Sequence, residues 1–127
     1  MVEASQSSLV VCVEDDAPVR DALRGLLRAS GMHVAAFASA EDFLASSDLQ
    51  SASCLVTDIQ LGGISGLDLL DKLSGMAIII PSILITAHSD VAAGDRARNS
   101  GAVKIFLKPV NPADLLDAIR TALANNT

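Results

Sequence analysis

Charged and hydroxyl side chains follow four apolar segments of this sequence, each at the point where the segment ends. They are Glu14 and Asp15 after the first segment, Asp58 after the third, Thr86 after the fourth and Lys108 after the fifth. Because the carboxyl ends of parallel strands meet at one edge of an open α/β sheet, we expect these side chains to lie close together. Neighbouring carboxylates repel one another without a cation between them, and hard oxygen ligands favour Mg²⁺ or Mn²⁺ over zinc. The pattern therefore predicts a divalent cation site at this edge.

Each of these residues has a simpler explanation when it is taken alone. The acidic residues 14–16 could form a first helical turn that the helix dipole stabilises, and we assign only that role to Asp16. A lysine is commonly a surface residue, and a threonine at a strand end commonly just fills the strand. Asp58 precedes a glycine-containing loop rather than a helix, so helix capping does not explain it. The hypothesis of a site therefore depends on the whole set.

Short apolar segments alternate with amphipathic ones along the chain. They predict strands over 9–13, 33–37, 53–57, from just after Pro81 to Thr86 and 103–107, each followed by a helix. Ser39 and Asn111 are candidate N-caps, and Gly94 weakens the polar helix predicted over 91–100. Apolar strands that alternate with helices predict an α/β fold, in which helices cover a parallel sheet on both faces.

The length and composition indicate one globular domain. The chain has 127 residues, of which 50% are hydrophobic, so we expect a single domain over 1–127 with flexible ends at 1–8 and 124–127. The net charge of −6 argues against direct binding to nucleic acid or to an anionic membrane. No segment is long enough to span a bilayer or resembles a signal peptide, so we expect a cytoplasmic location. Cys12 and Cys54 lack metal or redox spacing, and we expect both in the core.

From Leu9 to Leu123 the chain resembles the receiver domain of two-component response regulators. The matching features are Glu14-Asp15, Asp58, the glycine Gly66 eight positions later, Thr86-Ala87 and Lys108-Pro109. The segments 39–44 and 85–91 are most similar to the FixJ-type branch, whose members often join the receiver to a DNA-binding helical domain. The resemblance implies a flavodoxin-like, doubly wound, five-stranded parallel sheet in the order 2-1-3-4-5, with helices on both faces.

The resemblance also implies a function for the predicted site. Asp58 would accept a phosphoryl group from a phosphohistidine of a sensor histidine kinase or phosphotransfer protein. Mg²⁺, or Mn²⁺ in its place, would be bound by Glu14, Asp15, Asp58 and the backbone carbonyl of Gln60. The phosphoryl group would be contacted by the Thr86 hydroxyl, the Ala87 amide and the Lys108 ammonium. Such a chain is not an enzyme in the usual sense but a signalling phosphoacceptor that assists its own phosphorylation and dephosphorylation.

Two positions concern how such a domain would switch. Thr86 is expected to move toward the phosphoryl group, after which the fourth helix and the preceding loop rearrange. The partner position of this switch, commonly an aromatic residue, is Ile105, and the aromatic Phe106 follows it. Because side chains alternate along a strand, we expect Phe106 and Ile105 on opposite faces, which argues against aromatic gating.

The surface of the fourth helix, fifth strand and fifth helix is expected to form a phosphorylation-dependent homodimer or to bind a partner.

Two further differences concern the loops beside the site. Leu61-Gly62 stands where relatives usually carry Met-Pro, and losing the proline removes a restraint on φ, so we expect a more mobile loop. Gln60 and His88 each lie two residues past a predicted site residue, at positions that tune dephosphorylation in the family. For His88, an exposed loop histidine without a role is an equally good interpretation.

Other functions fit the sequence less well. A haloacid-dehalogenase-like phosphatase needs a second acid two residues after its aspartate, and this position is Gln60. A flavodoxin-like carrier would need a phosphate-binding loop where the acidic residues 14–16 lie, and no P-loop motif occurs. The serious alternative is a receiver-like interaction module that works independently of phosphorylation.

Overall fold

Five parallel strands form one sheet in the computed structural model, which describes residues 8–87 and 91–125. The strands are β1 (Leu9–Val13), β2 (His33–Phe37), β3 (Ala52–Asp58), β4 (Ser82–Thr86) and β5 (Ala102–Leu107). They lie in the order β2-β1-β3-β4-β5, and every neighbouring pair is parallel. The expected order is therefore confirmed. β3 extends one residue further at each end than predicted, so that Asp58 is its last residue.

Helices connect successive strands, as the alternating sequence pattern predicts. They are α1 (Ala17–Ala29), α2 (Ala40–Leu44), α3 (Gly66–Gly75), α4 (Val91–Asn99) and α5 (Pro112–Asn125), with a 3₁₀ helix over Ser47–Gln50. Asp16 caps α1 by accepting a hydrogen bond from the Val19 amide, Ser39 caps α2, and Asn111 accepts from two amides at the start of α5. Both predicted N-caps are thus confirmed, whereas Asp16 is the N-cap of α1 rather than the first-turn residue that the sequence predicts, since no acidic residue lies in the first turn of this helix.

The two faces of the sheet carry separate hydrophobic clusters. The cluster beneath α2, α3 and α4 contains Val11, Val13, Phe43, Leu55, Leu70, Leu73, Leu84 and Ala97. The cluster beneath α1 and α5 contains Val10, Cys12, Leu27, Cys54, Val56, Ile83, Leu115 and Ile119. Residues 10–13 alternate strictly between the two clusters, as the pleat of a strand requires. Helices therefore cover both faces, which confirms the α/β prediction.

Several residue-level predictions can be compared with this arrangement. Ile105 packs against the first cluster and Phe106 against the second, so the two side chains do face opposite sides of β5. Cys12 and Cys54 are both fully buried, and burial raises the pKa of each thiol to about 12. The edge strand β5 is less covered than predicted, since it has a neighbour on one side only and leaves Val103 and Leu107 exposed.

The ends of the chain add two findings. α5 continues to Asn125, so the structure extends the helix through a segment for which the sequence predicts flexibility. The predicted flexibility of 1–8 and 124–127 stays a prediction, and residues 1–7, 126 and 127 lie outside the described part of the chain. Among the described helices, none is long and apolar enough to cross a lipid bilayer.

Candidate functional site

The carboxyl ends of β1, β3, β4 and β5 lie side by side at one edge of the sheet. The strand order places β1 next to β3 at the point where the connections reverse direction, which is where open α/β sheets form their sites. Glu14 follows β1, Asp58 ends β3, Thr86 ends β4 and Lys108 follows β5. The predicted convergence of polar side chains at this edge is therefore present.

Lys108 joins two buried carboxylates at this edge. Its Nζ lies 2.5 Å from Oδ2 of Asp58 and 3.7 Å from Oε1 of Glu14. Asp58 and Glu14 are each only 5% exposed, so the ammonium group compensates charges that water reaches poorly. The Lys108 amide donates a hydrogen bond to the Thr86 carbonyl oxygen, which anchors the lysine backbone to β4. The side chain thus reaches from β5 past β4 to the end of β3.

Burial and neighbouring charges shift the pKa values of both Glu14 and Lys108. Burial raises the pKa of the Glu14 carboxyl, and the nearby Asp58 charge adds to this, although the Asp16 amide and the Lys108 charge oppose it. Burial disfavours the charged form of Lys108, but the hydrogen bond to Asp58 and the charges of Asp58 and Glu14 outweigh it and raise the pKa of the ammonium. Lys108 therefore stays positively charged near neutral pH, as a group that neutralises anions must.

Glu14 is held by contacts at both of its ends. Its carboxylate accepts a hydrogen bond from the Asp16 amide at 3.2 Å, and its carbonyl oxygen accepts one from Nη1 of Arg20 at 2.8 Å. The Arg20 contact is a feature that the sequence did not predict, because an arginine on the first turns of a helix is usually a surface residue. This contact fixes the backbone at Glu14 to α1.

Asp58 and Thr86 are linked through Gln60. The backbone amide of Gln60 donates to Oδ1 of Asp58 at 3.0 Å. The Thr86 hydroxyl donates to the side-chain oxygen Oε1 of Gln60 at 3.4 Å. Both oxygens of the Asp58 carboxylate therefore have a donor, one from the backbone and one from Lys108. Gln60 contacts Thr86 by its side chain, which the sequence did not predict because the two residues lie on different connections.

The oxygen atoms at this edge have the chemistry that a hard divalent cation prefers. Glu14 and Asp58 are buried, whereas Asp15 is exposed and its Oδ2 faces Gly62, at which an added Cβ would lie 3.8 Å away. Across residues 8–87 and 91–125, no three carboxylate, imidazole or thiol side chains are already arranged around a common metal position. The donor set fits Mg²⁺ by its oxygen chemistry, but Glu14, Asp15 and Asp58 are not gathered around one metal position, and the cation that contacts Asp58 here is the Lys108 ammonium.

The loop behind Asp58 depends on a glycine. The Gly66 amide donates to the Ile59 carbonyl oxygen at 2.9 Å, and a Cβ at Gly66 would overlap the main-chain oxygen of Asp58 and lie 3.1 Å from its carbonyl carbon. The backbone of α3 therefore passes directly against the end of β3. This close approach gives a physical reason for glycine at the position that the sequence comparison singled out.

We expect Gly66→Ala to lower the free energy of unfolding by about 1–3 kcal/mol, because the added methyl group has no space against the Asp58 backbone. Urea denaturation followed by circular dichroism measures this loss. Gly25→Ala is the matched control, since it lies in α1 with nothing within 4 Å of its added Cβ, and it should stabilise the protein by about 0.5–1 kcal/mol. Equal effects of the two substitutions would contradict the packing argument.

Of the remaining predicted site residues, the structure describes Ala87 and Ile105 but not His88. Ala87 follows β4 and is exposed. Ile105 points into the cluster on the side of α4. His88 lies outside the described residues, so its predicted role stays a prediction. The expected mobility of the loop at Leu61 and Gly62 also stays a prediction.

Comparison with known proteins decides the family. A family model described as the response regulator receiver domain matches residues 10–120. This chain belongs to that family. The receiver is 43% identical over 120 residues to nodulation protein W of Bradyrhizobium diazoefficiens, a match that covers 94% of this chain and 53% of that protein. It is 39% identical over 110 residues to the transcriptional regulatory protein FixJ of Rhizobium meliloti, which covers 87% of this chain and 54% of FixJ.

Solved structures agree with this assignment. The crystal structure of FixJ-N superposes with a TM-score of 0.84 at 37% identity and covers 98% of this chain and 96% of that chain. The response regulator StyR gives a TM-score of 0.88 at 38% identity and covers 94% of this chain and 61% of that chain. The predicted similarity to FixJ-type proteins is therefore confirmed. The receiver spans about half the length of the curated relatives that it matches.

Proposed function

We propose that Asp58 of this receiver accepts a phosphoryl group from a phosphohistidine on a sensor histidine kinase or a phosphotransfer protein. The observation that carries this proposal is the contact of 2.5 Å between the Lys108 ammonium and Oδ2 of the buried Asp58. A structural ion pair would need no open position, but this one lies at the sheet edge where the side chain of Lys108 is still 35% exposed. A phosphoryl group can approach the carboxylate from that side.

The charges explain how the transfer would proceed. An oxygen of Asp58 attacks phosphorus while the P–N bond of the phosphohistidine breaks, and the electron pair of that bond stays on the imidazole nitrogen. If the second ring nitrogen carries a proton, the imidazole leaves as a neutral group. A carboxylate that approaches a phosphoryl group meets mutual repulsion, and the Lys108 ammonium reduces it by contacting an equatorial oxygen. The Thr86 hydroxyl and the Ala87 amide donate to the other oxygens.

Receiver domains generally bind Mg²⁺ at an acidic pocket, and the oxygen donors of this chain fit that ion. Glu14, Asp15, Asp58 and the Gln60 carbonyl oxygen are the ligands that we propose, with Mn²⁺ as a substitute. When bound, Mg²⁺ supplies further positive charge to the phosphoryl oxygens. Burial raises the pKa of the Glu14 carboxyl, and a neighbouring cation would oppose this shift and favour the ionised form that binds metal.

Phosphorylation would then be transmitted through Thr86. Its hydroxyl lies 3.4 Å from the Gln60 side chain, and a phosphoryl oxygen on Asp58 would compete for the same donor. We propose that Thr86 and Ile105 switch together and change the surface of α4, β5 and α5, where a homodimer or another partner binds. The exposed Val103 and Leu107 of β5 supply apolar area for such a contact. Identical sedimentation with and without beryllofluoride would contradict the dimer.

Intact mass spectrometry after incubation with acetyl phosphate and Mg²⁺ tests the proposed function. We expect one phosphoryl adduct that disappears when EDTA removes the metal, because the oxygen ligands and Lys108 must act together. A protein that forms no adduct and fails to bind beryllofluoride would contradict the proposal. The phosphorylation-independent interaction module would then be the better explanation.

A further inference from the structure

The segment 59–65 connects the end of β3 to α3 and carries the residues beside Asp58. It is held at its first end by the hydrogen bond from the Gln60 amide to Asp58 and at its last end by the bond from the Gly66 amide to Ile59. Between these points lie Gly62 and Gly63, and glycine restricts the backbone less than any other residue type. Leu61 and Ile64 on either side pack against the hydrophobic cluster beneath α2, α3 and α4, so the two glycines are the part of the segment with least to keep it in one conformation.

A third contact comes from α2. Oε2 of Glu41 accepts a hydrogen bond from the Ile64 amide at 3.2 Å, although the two residues are 23 positions apart. Glu41 is the second residue of α2, so it lies outside the capping box, whose two positions are the N-cap Ser39 and Asp42 three residues later. The carboxylate is therefore available to the segment beside Asp58.

Gly63 provides the space for that carboxylate. A Cβ at Gly63 would overlap Oε2 of Glu41 and lie 3.1 Å from its Cδ and from Oε1. The absence of a side chain at Gly63 thus lets Glu41 lie directly against the backbone of the segment. The hydrogen bond to the Ile64 amide and the close approach to Gly63 both involve this one position of the Glu41 carboxylate.

The helix that carries Glu41 is fixed in the core. Ala40 and Phe43, its neighbours on α2, are fully buried, and the Phe43 ring lies 5.5 Å from the ring of Phe37 on β2. Although the Glu41 side chain is exposed, its Cα is therefore held by packing, which lowers the conformational freedom lost when the bond to Ile64 forms.

We propose that Glu41 is a positioning residue that holds the segment 59–65 in the conformation in which Gln60 supports Asp58. This inference rests on the proposed phosphoacceptor function of Asp58. Glu41 acts through Ile64 and the backbone of Gly63, and it contacts neither Asp58 nor the phosphoryl donor. Its removal loosens the segment and slows phosphorylation without abolishing it.

Amide hydrogen exchange followed by NMR tests the contact directly. In Glu41→Ala the Ile64 amide should exchange about fivefold faster, as expected for the loss of one hydrogen bond. Glu41→Gln should exchange nearly as slowly as the original protein, because its side-chain oxygen still accepts a hydrogen bond. Asp42→Ala is the matched control, since it removes the neighbouring exposed carboxylate of the same helix and should leave Ile64 exchange unchanged.

The functional part of the inference is tested by the rate of phosphorylation with acetyl phosphate. Glu41→Ala should slow this rate by about two- to fivefold, and Glu41→Gln should restore it. Gly63→Ala should have the same effect as Glu41→Ala because its methyl group displaces the carboxylate. The double variant should be no slower than either single variant, which is the signature of two changes that remove one contact.

Two results would overturn the inference. Ile64 exchange that is the same in Glu41→Ala and in the original protein would show that the contact does not hold the segment. Faster exchange with an unchanged phosphorylation rate would show that the contact has no positioning role. Failure of the original protein to accept a phosphoryl group would instead contradict the proposed function, and it is recognised separately because Ile64 exchange is measured without phosphorylation.

Discussion

Asp58→Asn should abolish phosphoryl transfer to this receiver completely. The asparagine amide keeps the size of the side chain and retains an oxygen that can accept the hydrogen bond from the Gln60 amide, which Asp58 accepts at 3.0 Å. It lacks the ionised oxygen that forms the bond to phosphorus, and an amide oxygen is a far weaker nucleophile than a carboxylate. Intact mass after incubation with acetyl phosphate and Mg²⁺ should show no adduct.

Asp16→Asn is the control for this substitution. Asp16 lies at the same edge of the sheet, is exposed, and caps α1 through the Val19 amide. Asparagine is about as good an N-cap as aspartate, so folding should be preserved while one carboxylate is removed. This variant should be phosphorylated like the original protein. Full labelling of Asp58→Asn would show that another residue is the nucleophile.

Lys108→Ala should slow phosphorylation by about a hundredfold, the size of effect expected when one preorganised charge at a reacting group is removed. The ammonium lies 2.5 Å from Asp58 and 3.7 Å from Glu14, so it is the positive side chain that the structure brings to these two buried carboxylates. Without it, the phosphoryl group approaches two negative charges that only the bound metal compensates. Single-turnover labelling with acetyl phosphate over a range of Mg²⁺ concentrations measures the rate.

Lys104→Ala is the control for the loss of a positive charge. Lys104 lies on the same strand and is exposed, and its Nζ lies 5.6 Å from the centre of the Phe106 ring rather than at the site. Its removal should leave the labelling rate nearly unchanged. If Lys104→Ala and Lys108→Ala slowed the reaction equally, a general electrostatic effect would explain the result better than a contact at Asp58.

The elements of the fold could be predicted because their signals are local. Apolar strands, the N-cap Asn111 before Pro112 and the position of Pro81 before β4 each depend on a few neighbouring residues. The opposite faces of Ile105 and Phe106 follow from strand alternation alone. The strand order came from the family resemblance, since alternation of strands and helices does not by itself determine which strands are neighbours.

The exposure of β5 illustrates where local reasoning failed. Val103 and Leu107 have the same apolar character as residues of the buried strands, yet they are 59% and 53% exposed. The hydrophobicity of a side chain indicates only its tendency to be buried. Its actual exposure also depends on whether its strand lies in the middle or at the edge of the sheet. The sequence pattern of a short strand does not contain that information.

The sequence by itself determined which residue types reach the carboxyl edge of the sheet, because each of them follows or ends an apolar strand. Only the tertiary structure decided how they pair. Lys108 reaches Asp58 across an intervening strand, Thr86 contacts Gln60, and Glu41 binds the Ile64 amide from another helix. These contacts join residues 23 to 50 positions apart, and they depend on strand order, loop path and side-chain rotamers. Such quantities arise from the packing of the whole chain, whereas periodicity and capping arise within a few residues.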